Sequence, residues 1–200
     1  MASNSAGDKG TRNLVIGMIA FIVVVGVVFS LISSRSSSTA AIPATVSEAD
    51  GYGIVLNPEK SPTIDVYLDY QCVACKYFEI INGGYLNEVI AQKKAKVVFH
   101  PMTFIGPESV LAANAAACAA DENEFVDMNL ALFQNQADQS NTGKWSKEYL
   151  TQLGKSIGIT SSNFESCVND GKYAGWHRRG CDGFRRSRAE GSGRRAIFVA

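Results

Sequence analysis

Two cysteines separated by two residues, Cys72 and Cys75, are the side chains whose type and spacing best fit a chemical role. A C-x-x-C pair is typical either of thiol–disulfide exchange or of one half of a metal site. In exchange the attacking group is a thiolate, so the pKa of the attacking cysteine must lie below its ordinary value of about 8.5. The unpaired N–H groups and the dipole at the start of a helix favour such an anion.

The order of the elements around the pair predicts a role for each cysteine. Residues 63–70 alternate in the manner of a strand and run into Cys72, and helical spacing begins at Lys76. Cys72 therefore lies at the predicted start of a helix, where we expect the nucleophile. Cys75 follows one turn later, close enough to resolve a mixed disulfide formed on Cys72.

A zinc site is the alternative interpretation of the pair. Zinc motifs of this spacing repeat the cysteine pair or add nearby histidines. The two histidines of this chain, His100 and His177, lie far from the pair in sequence, and there is no second close pair. An all-cysteine zinc site would have to use Cys72, Cys75, Cys118 and Cys167. The sequence favours redox chemistry, with no bound cofactor or metal.

The helix after the pair is predicted to pack through one face and to lead into a second strand. Its apolar residues at helical spacing are Phe78, Ile81, Tyr85 and Val89. Gly83 and Gly84 are expected to kink this helix or to end it early. Residues 96–100 have the composition of a strand. A strand, a helix and a strand at this length form a βαβ unit, in which the two strands are parallel.

Residues 108–173 are predicted to be helical, and they form an insertion at about residues 107–165 in an α/β core. Residues 112–120 are almost all alanine, which is the strongest helix former. Residues 162–165, with the sequence Ser-Asn-Phe-Glu, fit a capping box at the start of a further helix. The predicted soluble domain as a whole spans residues 51–176.

The apolar run at residues 14–32 predicts a single transmembrane anchor. It holds no charged side chain, and a helix of this length spans roughly 28 Å, close to the hydrocarbon thickness. A cleaved signal peptide is the alternative, but its apolar run is typically about 7–15 residues. Lys9 and Arg12 before the run, against Arg35 after it, indicate a cytoplasmic segment 1–13. The linker at 33–50 and the domain are then extracytoplasmic, at the cell membrane.

Cys118 and Cys167 fall in different predicted helices of the insertion. Disulfides form and persist outside the cytoplasm, so we expect a structural disulfide between these two cysteines. Two buried thiols that only pack in the core are the alternative.

Charge separates the end of the chain from the rest. The 19 basic and 19 acidic side chains cancel, so the total charge gives no support for nucleic-acid binding. Seven of the nine arginines, however, lie within residues 178–200. We therefore treat residues 177–200 as a separate arginine-rich tail.

The residues around the pair resemble a known family. Residues 69–79, with the sequence DYQCVACKYFE, resemble the active-site stretch of DsbA-type disulfide oxidoreductases, and residues 111–136 resemble the helical insertion of that family. The anchored forms of Gram-positive and actinobacterial envelopes are the most similar. The resemblance implies an α/β thioredoxin-like fold with an inserted helical subdomain. It also implies a thiol–disulfide oxidoreductase acting on reduced exported polypeptides, reset by a membrane oxidase partner.

Two departures from that family affect the expected activity. Relatives often carry a carboxylate six residues before the first cysteine, where this chain has Val66; Asp65 is one place off and would face the other side of the strand. No proline follows Cys167, although the family places a cis-proline and an antiparallel hairpin there. His100 is interpreted as a structural residue.

The tail is best interpreted as a frameshift or altered end that replaces the final strands. A genuine basic tail that binds anionic lipid head groups is the alternative. If the final strands are missing, the alternative function is that of a catalytically impaired anchored fragment that only binds polypeptide weakly. Residues 196–199 could add one brief strand.

Overall fold

The computed structural model describes residues 13–19, 21, 41–176, 179 and 195–198. Two compact units, Met1–Thr39 and Ala40–Ala200, divide the chain. In the first unit residues 13–19 are helical. Most of the predicted anchor, of the linker and of the tail lies outside the described residues. Among the described residues, no helix has both the length and the apolar character needed to cross a membrane.

Four strands of the second unit form one sheet in the order β1-β3-β2-β4. Their bounds are Ile54–Leu56 for β1, Thr63–Leu68 for β2, Lys96–Pro101 for β3 and Arg195–Phe198 for β4. β2 and β3 are parallel and are connected by the helix α1, Val73–Ala91. The predicted βαβ unit is therefore confirmed. β1 is antiparallel to β3, and β4 is parallel to β2.

Four further helices separate β3 from β4 among the described residues. They are α2 (Pro107–Asp121), α3 (Phe125–Gln134), α4 (Lys147–Ser156) and α5 (Ser162–Asp170). This confirms the predicted helical block, with a non-helical segment at residues 135–146. The predicted cap of α5 is one residue out, because Ser161 and not Ser162 accepts the hydrogen bond of the Asn163 N–H.

The alanine run of α2 explains how the helices of the insertion pack together, since α2 contacts α3, α4 and α5. Alanines from Ala112 to Ala120 are at most 3% exposed, and such small side chains let neighbouring elements approach closely. Larger side chains of the surrounding elements complete the core: Met128, Leu132, Trp145, Leu150, Phe164 and Trp176. The core lies between one face of the sheet and the inserted helices.

The prediction for the packing face of α1 was right for two residues and wrong for two. Val89 is buried and Phe78 packs against the core. Ile81 is 75% exposed and Tyr85 is 69% exposed, although both were expected to pack inward. The buried residues of the helix are Cys75, Glu79, Gly83, Leu86 and Val89. The physical reason is that α1 is apolar on two faces, so helical spacing alone does not identify the buried one.

The exposed residues form what we call the α1 stripe: Val73, Tyr77, Ile80, Ile81 and Tyr85. It begins directly after Cys72 and contains no charged side chain. An exposed apolar surface of this kind often marks a site of interaction.

The early end expected at Gly83 and Gly84 was wrong, since α1 continues through both to Ala91. Gly83 faces inward, and a Cβ at this position would press on the Glu79 carboxylate. Glycine here makes room for a buried side chain, so its cost in helix propensity is offset by packing.

Candidate redox site

Cys72 is the N-cap residue of α1, in extended backbone conformation at φ −81° and ψ 119°. Its Sγ accepts a hydrogen bond from the N–H of Cys75, 3.3 Å away. The N–H of Cys72 is bonded to the carbonyl oxygen of Asp69 (2.9 Å), which closes the turn between β2 and α1. The sulphur thus faces the unpaired N–H groups of a helix start, which stabilise negative charge.

Cys75 lies deeper in the same turn, with 1% of its surface exposed against 8% for Cys72. Burial raises the pKa of the Cys75 thiol, and its hydrogen bond with Cys72 and the charge of Asp69 raise it further. The Asp69 N–H, 3.5 Å from Cys75 Sγ, opposes this rise. The structure holds both residues as thiols. The arrangement suits a first cysteine that attacks and a second that stays protonated.

A buried polar network surrounds the turn, and sequence analysis missed it. Asp69 Oδ1 accepts hydrogen bonds from Ser109 Oγ (2.7 Å) and from Gln71 N (2.9 Å). Gln71 Nε2 donates to Ser109 Oγ (2.9 Å), and Gln71 Oε1 accepts from Asn141 N (2.6 Å). These bonds connect the redox turn to α2 and to the segment after α3. The only signal in the sequence was the presence of two polar residues, Asp69 and Gln71, just before the pair.

Glu79 is a second group that sequence analysis missed. It lies one turn after Cys75 on the inward face of α1 and is 6% exposed. Asn129 of α3 hydrogen-bonds its carboxyl group and also accepts a bond from Tyr70 Oη (3.1 Å). Burial raises the pKa of Glu79, and the bond to Asn129 partly offsets the rise. In the sequence, the spacing of Cys75, Glu79 and Gly83, each four positions after the last, was the available signal of this buried acid.

Replacing Glu79 with glutamine is expected to stabilise the protein at neutral pH by a few degrees in Tm. Because the folded pKa of Glu79 is raised, its stabilising contribution is complete below its ordinary pKa and is lost as pH rises through the folded value. Glutamine does not titrate, so the gain should vanish near pH 4. Thermal unfolding between pH 4 and 8 measures this. Glu88→Gln, at an exposed site of the same helix, is the control, and an equal gain there would contradict the prediction.

The positions of Asp65 and Val66 agree with the expected strand alternation. Val66 packs in the core with 1% exposure. Asp65 is buried on the other face of the sheet, where its Oδ1 lies 2.9 Å from His100 Nε2. The ring of His100 stacks on Tyr67 with centroids 4.2 Å apart. His100 is thus held in a packed polar pair.

Cys118 and Cys167 are bonded to each other in the structure, with an S–S distance of 2.00 Å and Cα atoms 5.9 Å apart. The bond connects α2 to α5. Because both sulphurs are in this disulfide, they do not join Cys72 and Cys75 in a zinc site. Within the part of the chain that the structure describes, no three His, Cys, Asp or Glu side chains are grouped to hold a metal ion.

Two parallel neighbouring strands, with a C-x-x-C pair at the start of the helix that connects them, are typical of a thioredoxin-like α/β protein. A comparison with protein families agrees. The family model described as Thioredoxin matches residues 50–190, and the chain belongs to that family.

Relatives with solved structures share this fold. MdbA, a thiol-disulfide oxidoreductase from Actinomyces oris, is 23% identical with a TM-score of 0.64, and the match covers 76% of each chain. BdbD from Bacillus subtilis is 24% identical with a TM-score of 0.58, over 74% of this chain and 81% of its own. Together with the family match, these likenesses confirm the thioredoxin-like fold that the resemblance of residues 69–79 and 111–136 implied.

A curated protein of Rickettsia typhi, named as a protein-disulfide oxidoreductase, is 27% identical over 140 residues. The match covers 69% of this chain and 51% of that protein. The chain therefore spans about half the length of the curated relative that it matches.

Proposed function

We propose that this chain is a thiol–disulfide oxidoreductase in which Cys72 is the nucleophile and Cys75 the resolving thiol. The observation that carries the proposal is the contrast between the two sulphurs. Cys72 Sγ caps α1 and accepts the N–H of Cys75, whereas burial raises the pKa of Cys75. A sulphur at a helix start can attack, and a buried one remains protonated until it is needed.

The exchange needs only the two sulphurs and a substrate. In the oxidising direction, a substrate thiolate attacks Cys72 of the Cys72–Cys75 disulfide, the bond between the cysteines breaks, and Cys75 leaves and takes up a proton. A second substrate thiolate then attacks the substrate sulphur of the mixed disulfide, and Cys72 leaves as a thiolate. The substrate loses two electrons and the pair gains them. In the reverse direction Cys75 attacks Cys72 and releases the substrate as a thiolate.

The substrates in this proposal are reduced exported polypeptides. The domain is anchored in the cell membrane through residues 14–32, outside the cytoplasm, and a membrane oxidase partner restores the Cys72–Cys75 disulfide. The apolar run supports the anchor. The Cys118–Cys167 disulfide supports the location, because such bonds persist in oxidising compartments.

Alkylation tests the roles of the two cysteines. In the reduced protein at about pH 7, we expect iodoacetamide to modify Cys72 at least roughly tenfold faster than Cys75, because burial raises the pKa of Cys75 and keeps its thiol protonated. Mass mapping after short reaction times gives the two rates. Modification of Cys75 first would overturn the assignment.

A second candidate function is weak polypeptide binding by a catalytically impaired fragment. The α1 stripe supports it, since an unfolded chain can bury apolar side chains there. The strand β4 also supports this second candidate function. β4 is four residues long and parallel to β2, whereas the family resemblance implies an antiparallel hairpin. A substrate that normally lies along that hairpin would lose its backbone partners.

Rebuilding the end of the chain separates the two candidates. We expect a chain whose residues 177–200 are replaced by a Thr-Pro-containing strand hairpin to oxidise a reduced protein substrate at least roughly tenfold faster, since positioning contributes much of such a rate. Exchange with a small disulfide should change little, because it needs only Cys72. Equal activity on the protein substrate and equal thermal stability would show that the present tail is a working structure.

A further inference from the structure

The carboxylate of Asp69 is a buried group that the exchange chemistry described above does not use. Asp69 lies between β2 and α1 and has no exposed surface. Its Oδ1 accepts hydrogen bonds from Ser109 Oγ (2.7 Å) and Gln71 N (2.9 Å), and its Oδ2 accepts one from Ile105 N (3.2 Å). The redox turn, the loop after β3 and α2 thus meet at one carboxylate.

The main chain of the same residue contacts both cysteines. The Asp69 N–H donates to Cys75 Sγ at 3.5 Å, and the Asp69 carbonyl oxygen accepts from Cys72 N at 2.9 Å. Both peptide units of Asp69 are therefore part of the redox turn. Because the carboxylate is bonded to α2 and to Ile105, it fixes where these peptide units lie relative to the sulphurs.

Asp69 also brings a charge into the turn. Burial raises the pKa of its carboxyl group, and the hydrogen bonds from Ser109, Gln71 and Ile105 lower it again by favouring the anion. At Cys75 the residue has two opposite influences. Its N–H, which lowers the pKa of the thiol, is the larger of the two, and its negative charge raises that pKa by less; both are smaller than burial and the bond with Cys72.

We propose that Asp69 is a positioning residue for Cys75: its carboxylate, bonded to Ser109 and Ile105, fixes the peptide that contacts Cys75 Sγ and places a negative charge beside that thiol. The proposal rests on the proposed function, in which Cys75 resolves mixed disulfides. Through the bond between Ser109 of α2 and Asp69, the inserted helical subdomain then influences the redox pair.

The step that Asp69 influences is the resolution of the mixed disulfide. The Cys75 thiol gives its proton to solvent, its thiolate attacks Cys72 Sγ, and the Cys72–Cys75 bond forms. The bond between Cys72 and the substrate sulphur breaks, and the substrate leaves as a thiolate. The charge of Asp69 makes the first of these events less favourable, while the Asp69 N–H holds the attacking sulphur in place.

The charge is tested with Asp69→Asn in a Cys72→Ser background of the full chain. We expect iodoacetamide to alkylate Cys75 several-fold faster at pH 8 than in the Cys72→Ser parent, because the variant loses the charge that raises the pKa of Cys75 and keeps the Asp69 N–H that lowers it. Ser109→Ala keeps the charge and should stay within about twofold. Circular dichroism confirms that each variant is folded. An unchanged rate in folded Asp69→Asn, or an equal rise in Ser109→Ala, overturns the proposal.

The positioning is tested with Ser109→Ala alone, which decides the question even if Asp69→Asn does not fold. This variant removes the Ser109 hydroxyl that donates to the carboxylate at 2.7 Å, so the peptide next to Cys75 should be held less well. We expect the Cys72–thionitrobenzoate mixed disulfide to be resolved about threefold to tenfold more slowly, with a small change in Tm. Resolution at the parent rate overturns the proposal.

If the proposed function itself is wrong, the experiments give a different result from those that contradict the role of Asp69. In that case the parent would form no mixed disulfide on Cys72. The alkylation of Cys75 needs no turnover, so the comparison of Asp69→Asn with Ser109→Ala would still measure the charge of Asp69.

Discussion

Cys72→Ser is expected to lower the rate of mixed-disulfide formation by roughly a thousandfold or more, because a serine hydroxyl is not ionised near neutral pH and does not replace a thiolate as nucleophile. Cys75 does not substitute for it. The Cys75 thiol is buried and its pKa is raised, so few molecules carry a thiolate there. This is the largest expected effect on activity.

Cys75→Ser is the matched control. It keeps Cys72 at the helix start, so we expect mixed-disulfide formation with 5,5'-dithiobis(2-nitrobenzoate) to continue within several-fold of the parent rate. The adduct should then accumulate, because no second thiol releases it. Release of thionitrobenzoate and mass spectrometry of the trapped protein measure both steps. Comparable rates of formation in Cys72→Ser and in the parent would contradict the proposed roles.

The features that the sequence predicted correctly are local ones. The parallel β2–α1–β3 unit follows from a short alternating segment, a helical segment and a second β-rich segment that are consecutive in the chain. The position of Cys72 at the start of α1 follows from the same order. The helices of the insertion follow from an alanine run and from capping residues, which act within a few positions.

The features that the sequence did not predict depend on residues far apart in the chain. Asp69 bonds to Ser109, 40 positions later, and Tyr70 bonds to Asn129, 59 positions later. Neither pair has a signature at short range. The buried face of α1 was predicted only in part, for a related reason. Val89 and Phe78 pack inward as expected, but whether Ile81 or Glu79 faces inward is decided by α3 and its Asn129, and not by the apolar spacing of α1 itself.

Gly83 shows how such a distant contact can reverse an interpretation. Taken alone, two consecutive glycines predict a helix break. In the fold, the position of Gly83 is where the Glu79 carboxylate needs space. The glycine therefore indicates a buried acid beside it, and that acid, Glu79, lies one turn after Cys75.

Removal of the Cys118–Cys167 disulfide is expected to have the largest effect on stability. The bonded residues are 49 positions apart, and the chain-entropy model gives about 4 kcal/mol for a loop of this length. A typical domain is stable by only about 5–15 kcal/mol. The loop contains the last turn of α2, all of α3 and α4, and most of α5, so its closure restricts much of the unfolded chain.

The double variant Cys118→Ala/Cys167→Ala tests this prediction through urea unfolding without reductant. We expect its midpoint to fall well below that of the parent, and the midpoint of the parent with reductant to approach that of the variant.

Cys72→Ala/Cys75→Ala is the control: a bond between those two residues would close a very short loop, so its loss should change the midpoint much less. Both sulphurs of the Cys118–Cys167 bond are buried, so part of the loss will come from packing and not from the bond. Comparing the variant with the reduced parent separates the loss of packing from the loss of the bond, because reduction breaks the bond and keeps the sulphur atoms. If the oxidised parent, the reduced parent and the variant all unfold at the same urea concentration, the bond between α2 and α5 does not stabilise this domain.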